Sequence, residues 1–266
     1  MERLKKKKLF LMDLDGTLYL EDKLFPATPG FLKHIKSIGG KYFFMTNNSS
    51  KSVDAYVEKF ERIGVDANEE DMLTSTQATV FYLKEHYKNK LLYAFGTESF
   101  KKQLSDSGLN ITDSLEEGIE CLVMGFDTEL TFKKLDDASR LLTKGVDFVA
   151  TNPDYVCPTS YGFVPDCGSV SDMLHNATKR RPKFIGKPEK YLTDLALKKT
   201  GYSKEETIII GDRLYTDIAC GINSGIDTIL VLSGESTLKD AEASEFKPTY
   251  IMRDIDELLE ILSGQQ

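Results

Sequence analysis

The sequence predicts an α/β protein, a doubly wound parallel sheet into which a second α/β domain is inserted. Three observations lead there. Short, nearly continuous apolar runs alternate with segments of helical period, the pattern of parallel strands buried on both faces. This alternation occupies both ends of the chain, while the middle carries its own set of strand and helix signals. At 266 residues the chain is longer than one typical domain and shorter than three.

Taken in order, the run at 9–12 is followed by a helix over 28–37, and the run at 41–45 by a helix over 52–62. The middle section has apolar runs at 91–95, 121–124 and 147–150, then chain rich in Pro, Tyr and Gly over 152–168, expected to be irregular. The run at 183–185 leads into a helix opening at Pro188, since proline suits a first helical position. The run at 207–210 precedes a helix over 214–222, and a strand at 228–232 and a final helix over 255–262 complete the set. No fixed-period repeat or low-complexity linker interrupts the chain. The expected domains are a core of residues 1–78 and 179–266 and an insert of residues 79–178.

Charge and composition exclude several function classes. Hydrophobic residues at 41% and charged residues at 29% are ordinary for a folded protein, unlike disordered or collagenous chains. A net charge of −8 repels a phosphate backbone, and Lys5 to Lys8 is the only basic run, a solvated lead-in to the first strand. No nucleic-acid partner is therefore expected. No apolar run approaches the roughly 18 residues of a membrane span. Leu9 to Met12 is too short for a signal core and is followed at once by Asp13, so the expected location is cytoplasmic. The four cysteines (Cys121, Cys157, Cys167, Cys220) form no C-x-x-C pair, and His34, His86 and His175 are scattered. A zinc site is not expected.

The chemistry lies at strand ends, where open parallel sheets bind ligands. The first strand runs into Asp13-Leu14-Asp15-Gly16-Thr17. Two carboxylates one residue apart are costly to desolvate and call for a cation or a shared proton. Asp13 can offer its carboxylate to a metal while Asp15 offers its carbonyl and keeps its side chain for proton transfer. Gly16 permits a sharp turn. A turn of the Asx type would also use these residues. A calcium loop counted from Asp13 fails, because Leu18 stands where glycine is required. The second strand runs into Thr46-Asn47-Asn48-Ser49-Ser50 ahead of a helix, an anion cradle or a helix cap. Gly186-Lys187-Pro188 places a lysine at the same edge, and Gly211-Asp212 supplies a second carboxylate, with Asp217 five residues on.

Asp-x-Asp-Gly-Thr, Thr-Asn-Asn, Gly-Lys-Pro and Gly-Asp-x₄-Asp thus occur in order at four strand ends. This series resembles the haloacid dehalogenase (HAD) superfamily of aspartyl-nucleophile phosphatases. The insert between Thr46 and Lys187, with Ala150-Thr151-Asn152-Pro153-Asp154, resembles the NagD-like, p-nitrophenylphosphatase subfamily with its large α/β cap. The resemblance implies that Asp13 is the nucleophile, forming an aspartyl-phosphate, and that Asp15 is the acid and base. It implies Mg²⁺ held by Asp13, the Asp15 carbonyl and Asp212, with Asp217 joining them or orienting a metal water or Lys187. It implies that Thr46, Asn47, Asn48 and Lys187 hold the phosphoryl oxygens, and that Arg213 and Thr216 face the substrate. Asn152 and Asp154, with the stretch from Tyr155 to Cys167, are the expected leaving-group contacts, on a cap that closes about hinges near 78 and 179.

The expected activity is therefore Mg²⁺-dependent hydrolysis of small phosphorylated metabolites such as nucleotide or sugar phosphates, with p-nitrophenyl phosphate as artificial substrate. A phosphomutase would carry a helical cap just after the first motif, and only about ten residues separate Thr17 from the first helix. A non-catalytic phosphate-binding protein would be expected to have lost one of Asp13, Asp15, Lys187 or Asp212. A protein-directed phosphatase would need a more open site. A homodimer through the cap is open, although no apolar stripe compels it.

Overall fold

The computed structural model describes residues 2–20, 22–159 and 161–264, which form two compact units. The first comprises Met1–Thr46, Val53–Leu73 and Lys187–Gln266. Its sheet has six strands in the order Tyr250–Met252, Asp227–Val231, Thr207–Gly211, Leu9–Met12, Lys41–Thr46, Met72–Thr74. Leu9–Met12 is central and pairs in parallel on both sides, Met12 lying between Ile210 and Phe44. That register sends Asp13, Gly211-Asp212 and Met45-Thr46 out at one edge.

All four residues of the central strand are buried, as expected for a strand covered on both faces. The helix Thr28–Ser37 sets Phe31 edge-on to Phe10, with ring centres 5.9 Å apart. The helix Val53–Ile63 turns Val53, Tyr56 and Phe60 inward, and Phe60 meets Phe44 at 4.6 Å. Each such buried ring contributes roughly 1.5–3 kcal/mol relative to exposure. At the opposite edge, the buried Lys7 ammonium donates to the Glu205 and Thr207 carbonyls and pairs with Asp227 at 2.6 Å. The chemistry-bearing edge is thus left to the motif residues.

The second unit comprises Asn47–Ser52 and Thr74–Gly186. Its five strands run in the order Lys183–Phe184, Asp147–Ala150, Ile119–Met124, Leu91–Phe95, Ile111–Thr112, every neighbouring pair parallel. The helices Ser75–His86, Glu98–Asp106, Phe132–Thr143 and Cys167–Thr178 accompany it, around a core that includes Tyr93, Phe95, Met124 and Leu174.

Several expectations need correction. The run at 183–185 belongs to the second sheet and not the first. Lys183 and Phe184 register with Val149 and Ala150, and the Ile185 and Gly186 amides continue onto the Ala150 and Thr151 carbonyls. The stretch 152–168 is not irregular, since Val156–Thr159 and Gly162–Pro165 form an antiparallel hairpin. Its prolines and glycine disguised the alternation, and Ser160 of that stretch lies outside the described residues. No helix opens at Pro188: residues 186–190 turn, and the helix is Tyr191–Thr200. The segment expected as one helix over 214–222 is a π-helical turn, Leu214–Ile218, followed by Ala219–Ser224. No helix among the described residues is long and apolar enough to cross a membrane.

Candidate active site

Where the first strand ends, the chain turns at once. The Thr17 and Leu18 amides donate to the Leu14 carbonyl, and the Gly16 amide donates to Tyr19. Gly16 sits at φ +81°, and a Cβ there would lie 2.5 Å from Asp212 Oδ2, so both conformation and space require glycine. This turn follows Asp13 directly and brings Gly16 against Asp212.

Lys187 is buried, and its ammonium donates to Asp13 Oδ1 at 2.5 Å, Asp217 Oδ1 at 2.6 Å and the Met45 carbonyl at 3.4 Å. Burial works against its charge, but Asp13 and Asp217 outweigh that and hold it protonated. Asp217 is fully buried, and its other oxygen accepts from the Arg213 amide at 3.2 Å. Asp217 therefore orients Lys187 directly. Thr46 is buried next to Met45, its hydroxyl 3.5 Å from that of Tyr56.

Asp13, Asp212 and Asp217 each bring a carboxylate oxygen within 4.8 Å of the others. Crowding has the expected electrostatic effect. Burial, then Asp13 and Asp217, pushes Asp212 up to about 7. Burial also pushes Asp217 up to about 6, although Lys187 pulls it down. Three hard oxygen donors with one ammonium among them fit a divalent cation, which would offset the repulsion that Lys187 only partly relieves.

A further segment completes this edge and escaped the sequence reading, the loop at residues 233–236 after the Asp227–Val231 strand. The Glu235 amide donates to Asp212 Oδ2 at 2.7 Å, the Ser236 amide to the Asp212 carbonyl at 3.1 Å, and the Ser233 hydroxyl to the Gly16 carbonyl at 2.7 Å. A Cβ on Gly234 would meet Asp212 Oδ2 at 2.1 Å. The available signal was its position, since it leaves the carboxyl end of a strand next to the Asp212 strand.

The structure brings Asp13, Lys187, Asp212 and Asp217 together in the first unit and places Arg213 beside them, its Nε paired with Glu235 at 2.9 Å. Thr216 is in the π-helical turn and almost fully buried. Asn47, Asn48, Asn152 and Asp154 lie in the second unit. The Asn47 side chain donates to Asp154 Oδ2 at 2.7 Å, and Asn152 donates to the same oxygen at 2.9 Å and to Asp166 at 3.2 Å. Asn48 Oδ1 accepts from the Ser50 amide and hydroxyl, a local Asx turn. Asn152 is completely buried and Asp154 nearly so. Their side chains bond to one another, as buried polar groups do.

Comparison with known proteins identifies the family. A family model described as haloacid dehalogenase-like hydrolase matches residues 10–110, and a HAD-hydrolase-like model matches residues 184–258. An acid sugar phosphatase of Staphylococcus epidermidis is 34% identical over 253 residues, covering 95% of this chain and 97% of its own. The crystal structure of a 4-nitrophenylphosphatase from Thermotoga maritima superposes with a TM-score of 0.92 at 38% identity, covering 98% and 99% of the two chains. A glycerol phosphate phosphatase from Mycobacterium tuberculosis, solved with magnesium, has a TM-score of 0.90 at 28% identity, covering 97% of this chain and 78% of its own. The chain belongs to the haloacid dehalogenase-like hydrolase family and groups there with its p-nitrophenylphosphatase-type phosphatases.

Proposed function

We propose that this protein hydrolyses small phosphomonoesters, sugar and polyol phosphates foremost, through an aspartyl-phosphate on Asp13 and with Mg²⁺ as cofactor. The observation that carries the reading is the Asp13 carboxylate fixed by Lys187 at 2.5 Å within a cluster that includes Asp212 and Asp217. The names of the relatives support the substrate class. Asp13 and Asp212, with the Asp15 carbonyl, would hold the Mg²⁺, which when bound neutralises phosphoryl charge.

The remaining chemistry belongs to the chain. Lys187 fixes one Asp13 oxygen, which sets the orientation of the other for attack on phosphorus. As the Asp13–phosphorus bond forms, the ester bond breaks, and Asp15 gives its proton to the departing alcohol oxygen. Asp15 then takes a proton from a water whose oxygen bonds to phosphorus, and Asp13 leaves as a carboxylate. Two displacements through one carboxylate replace a single difficult one. Lys187 and Thr46 would hold the phosphoryl oxygens, where charge stabilisation does most of the catalysis.

The test is hydrolysis of p-nitrophenyl phosphate and a panel of sugar, polyol and nucleotide phosphates, in Mg²⁺ and in EDTA. Turnover lost in EDTA, restored by Mg²⁺ and strongest on sugar or polyol phosphates is the expected result. Folded protein without turnover on any of these esters would overturn the reading.

A further inference from the structure

Glu235 makes two connections at once. Its amide donates to Asp212 Oδ2 at 2.7 Å, and its carboxylate pairs with Arg213 Nε at 2.9 Å. The Arg213 side chain is 23% exposed and that of Glu235 47%, so the pair stands at the rim of the acidic cluster. An ordinary surface ion pair would contribute little. This pair, however, belongs to the residue that directly follows Asp212 and whose amide donates to Asp217 Oδ2 at 3.2 Å. Arg213 thus stands beside the acidic cluster, whereas the Lys187 ammonium is divided between Asp13 and Asp217. Two residues beyond Arg213, the half-exposed Tyr215 stands on the π-helical turn, a wide turn often found where a helix displays functional side chains.

We infer that Glu235 is a positioning residue that fixes the Arg213 guanidinium for contact with the oxygen-rich leaving group of a phosphorylated sugar or polyol. The inference rests on the phosphomonoesterase reading of the site. A guanidinium is a planar fork of donors, and a carboxylate held by charge 2.9 Å from Nε restricts the positions that fork can take. Rotamer freedom removed beforehand is not lost again when substrate binds. Because Glu235 also caps Asp212 through its main chain, truncating its side chain separates the two connections: the amide remains and the carboxylate goes. p-Nitrophenyl phosphate, whose leaving group carries no hydroxyl next to the ester, serves as the internal control.

The experiment is a double-mutant cycle of Glu235→Ala and Arg213→Ala, read in two ways. The first is kcat and KM for glycerol 3-phosphate and for p-nitrophenyl phosphate. The second is calorimetric binding of glycerol 3-phosphate with Mg²⁺ on an Asp13→Asn background, where no turnover occurs. Glu235→Ala is expected to raise KM and Kd for glycerol 3-phosphate about five- to tenfold, mostly without a fall in kcat, and to change the p-nitrophenyl phosphate KM less than about twofold. In the Arg213→Ala background the second substitution should add nothing. Glu235→Gln, which keeps the shape and loses the charge, should fall between, and circular dichroism checks that each variant is folded. Additive effects, or an equal change on both substrates with a raised Mg²⁺ requirement, would overturn the inference and assign Glu235 to Asp212 instead. No binding of glycerol 3-phosphate to the Asp13→Asn protein would overturn it too. A wild type inactive on every ester would instead count against the proposed function.

Discussion

Replacing Lys187 with Met should destabilise the protein strongly at about pH 8 and much less at about pH 5. The Lys187 ammonium is the cation held directly against Asp13 and Asp217, at 2.5 and 2.6 Å, and these carboxylates share a 4.8 Å cluster with Asp212. Removing one partner of a buried ion pair leaves the other charge uncompensated and costs about 3–5 kcal/mol. Methionine replaces most of the aliphatic stem, so packing adds little to that figure. The pH dependence follows from linkage. Burial already pushes Asp212 to about 7 and Asp217 to about 6, above their ordinary 3.8, and Lys187 is what pulls Asp217 down. Without it, both carboxyls hold their protons to higher pH, so at about pH 5 the folded variant contains few unpaired charges. Its folded state binds protons that the unfolded state has released, so the penalty grows as pH rises. Urea denaturation in EDTA followed by circular dichroism is the assay, since the chain has no tryptophan. A loss of about 3–5 kcal/mol corresponds to a Tm decrease on the order of 10 °C. An equal loss at both pH values, or one below about 1 kcal/mol at the higher, would refute the reasoning.

Further outcomes follow from other parts of the molecule. Burial pushes Asp166 in the second unit up to about 7 from 3.8. About three pH units at about 1.4 kcal/mol each give roughly 4 kcal/mol, present below about pH 4 and lost as pH rises towards 7. Asp166→Asn keeps an acceptor for the Cys167 amide, so the difference in stability between wild type and variant should fall by up to about that amount over this range. Parallel stability curves would contradict it. Gly234→Ala forces Asp212 to move, because a Cβ would stand 2.1 Å from its Oδ2, and should weaken Mg²⁺ activation about 10- to 100-fold, measured by metal titration of activity. Asn47→Ala removes one of the two amides on Asp154 Oδ2 and should cost about 1–3 kcal/mol in chemical denaturation, with Asn48→Ala, whose Oδ1 bonds are local and whose Nδ2 bond to Cys157 Sγ is long at 3.9 Å, costing less.

The first unit was legible because its strands carry their signal locally. Leu9–Met12 is apolar throughout and buried on both faces, and Asp13 follows it at the carboxyl edge, where open parallel sheets bind ligands. Lys187 could be placed near that edge by its motif, but its double engagement with Asp13 and Asp217 is a tertiary fact with no periodicity to announce it. Lys183–Phe184 shows the limit in reverse. An apolar pair before Gly-Lys-Pro has the same local appearance in either sheet, and only pairing with Val149 and Ala150 decides between them. Asn152 and Asp154 stood out by composition, but their bonds to Asp166 and Asn47 are tertiary and carry no signal in the sequence. Glu235 had no distinguishing neighbours in sequence, and its significance comes from the close approach that Gly234 permits at Asp212.

The central claim is that Asp13 carries the phosphoryl group. It is tested most directly by acid-quenching an Asp15→Asn variant after mixing with p-nitrophenyl phosphate and Mg²⁺, then mapping the modified peptide by mass spectrometry. Loss of the Asp15 base should slow the second displacement, so one phosphoryl group on Asp13 is the expected result. Wild-type turnover with no adduct at Asp13 in the variant, or an adduct elsewhere, would contradict the account.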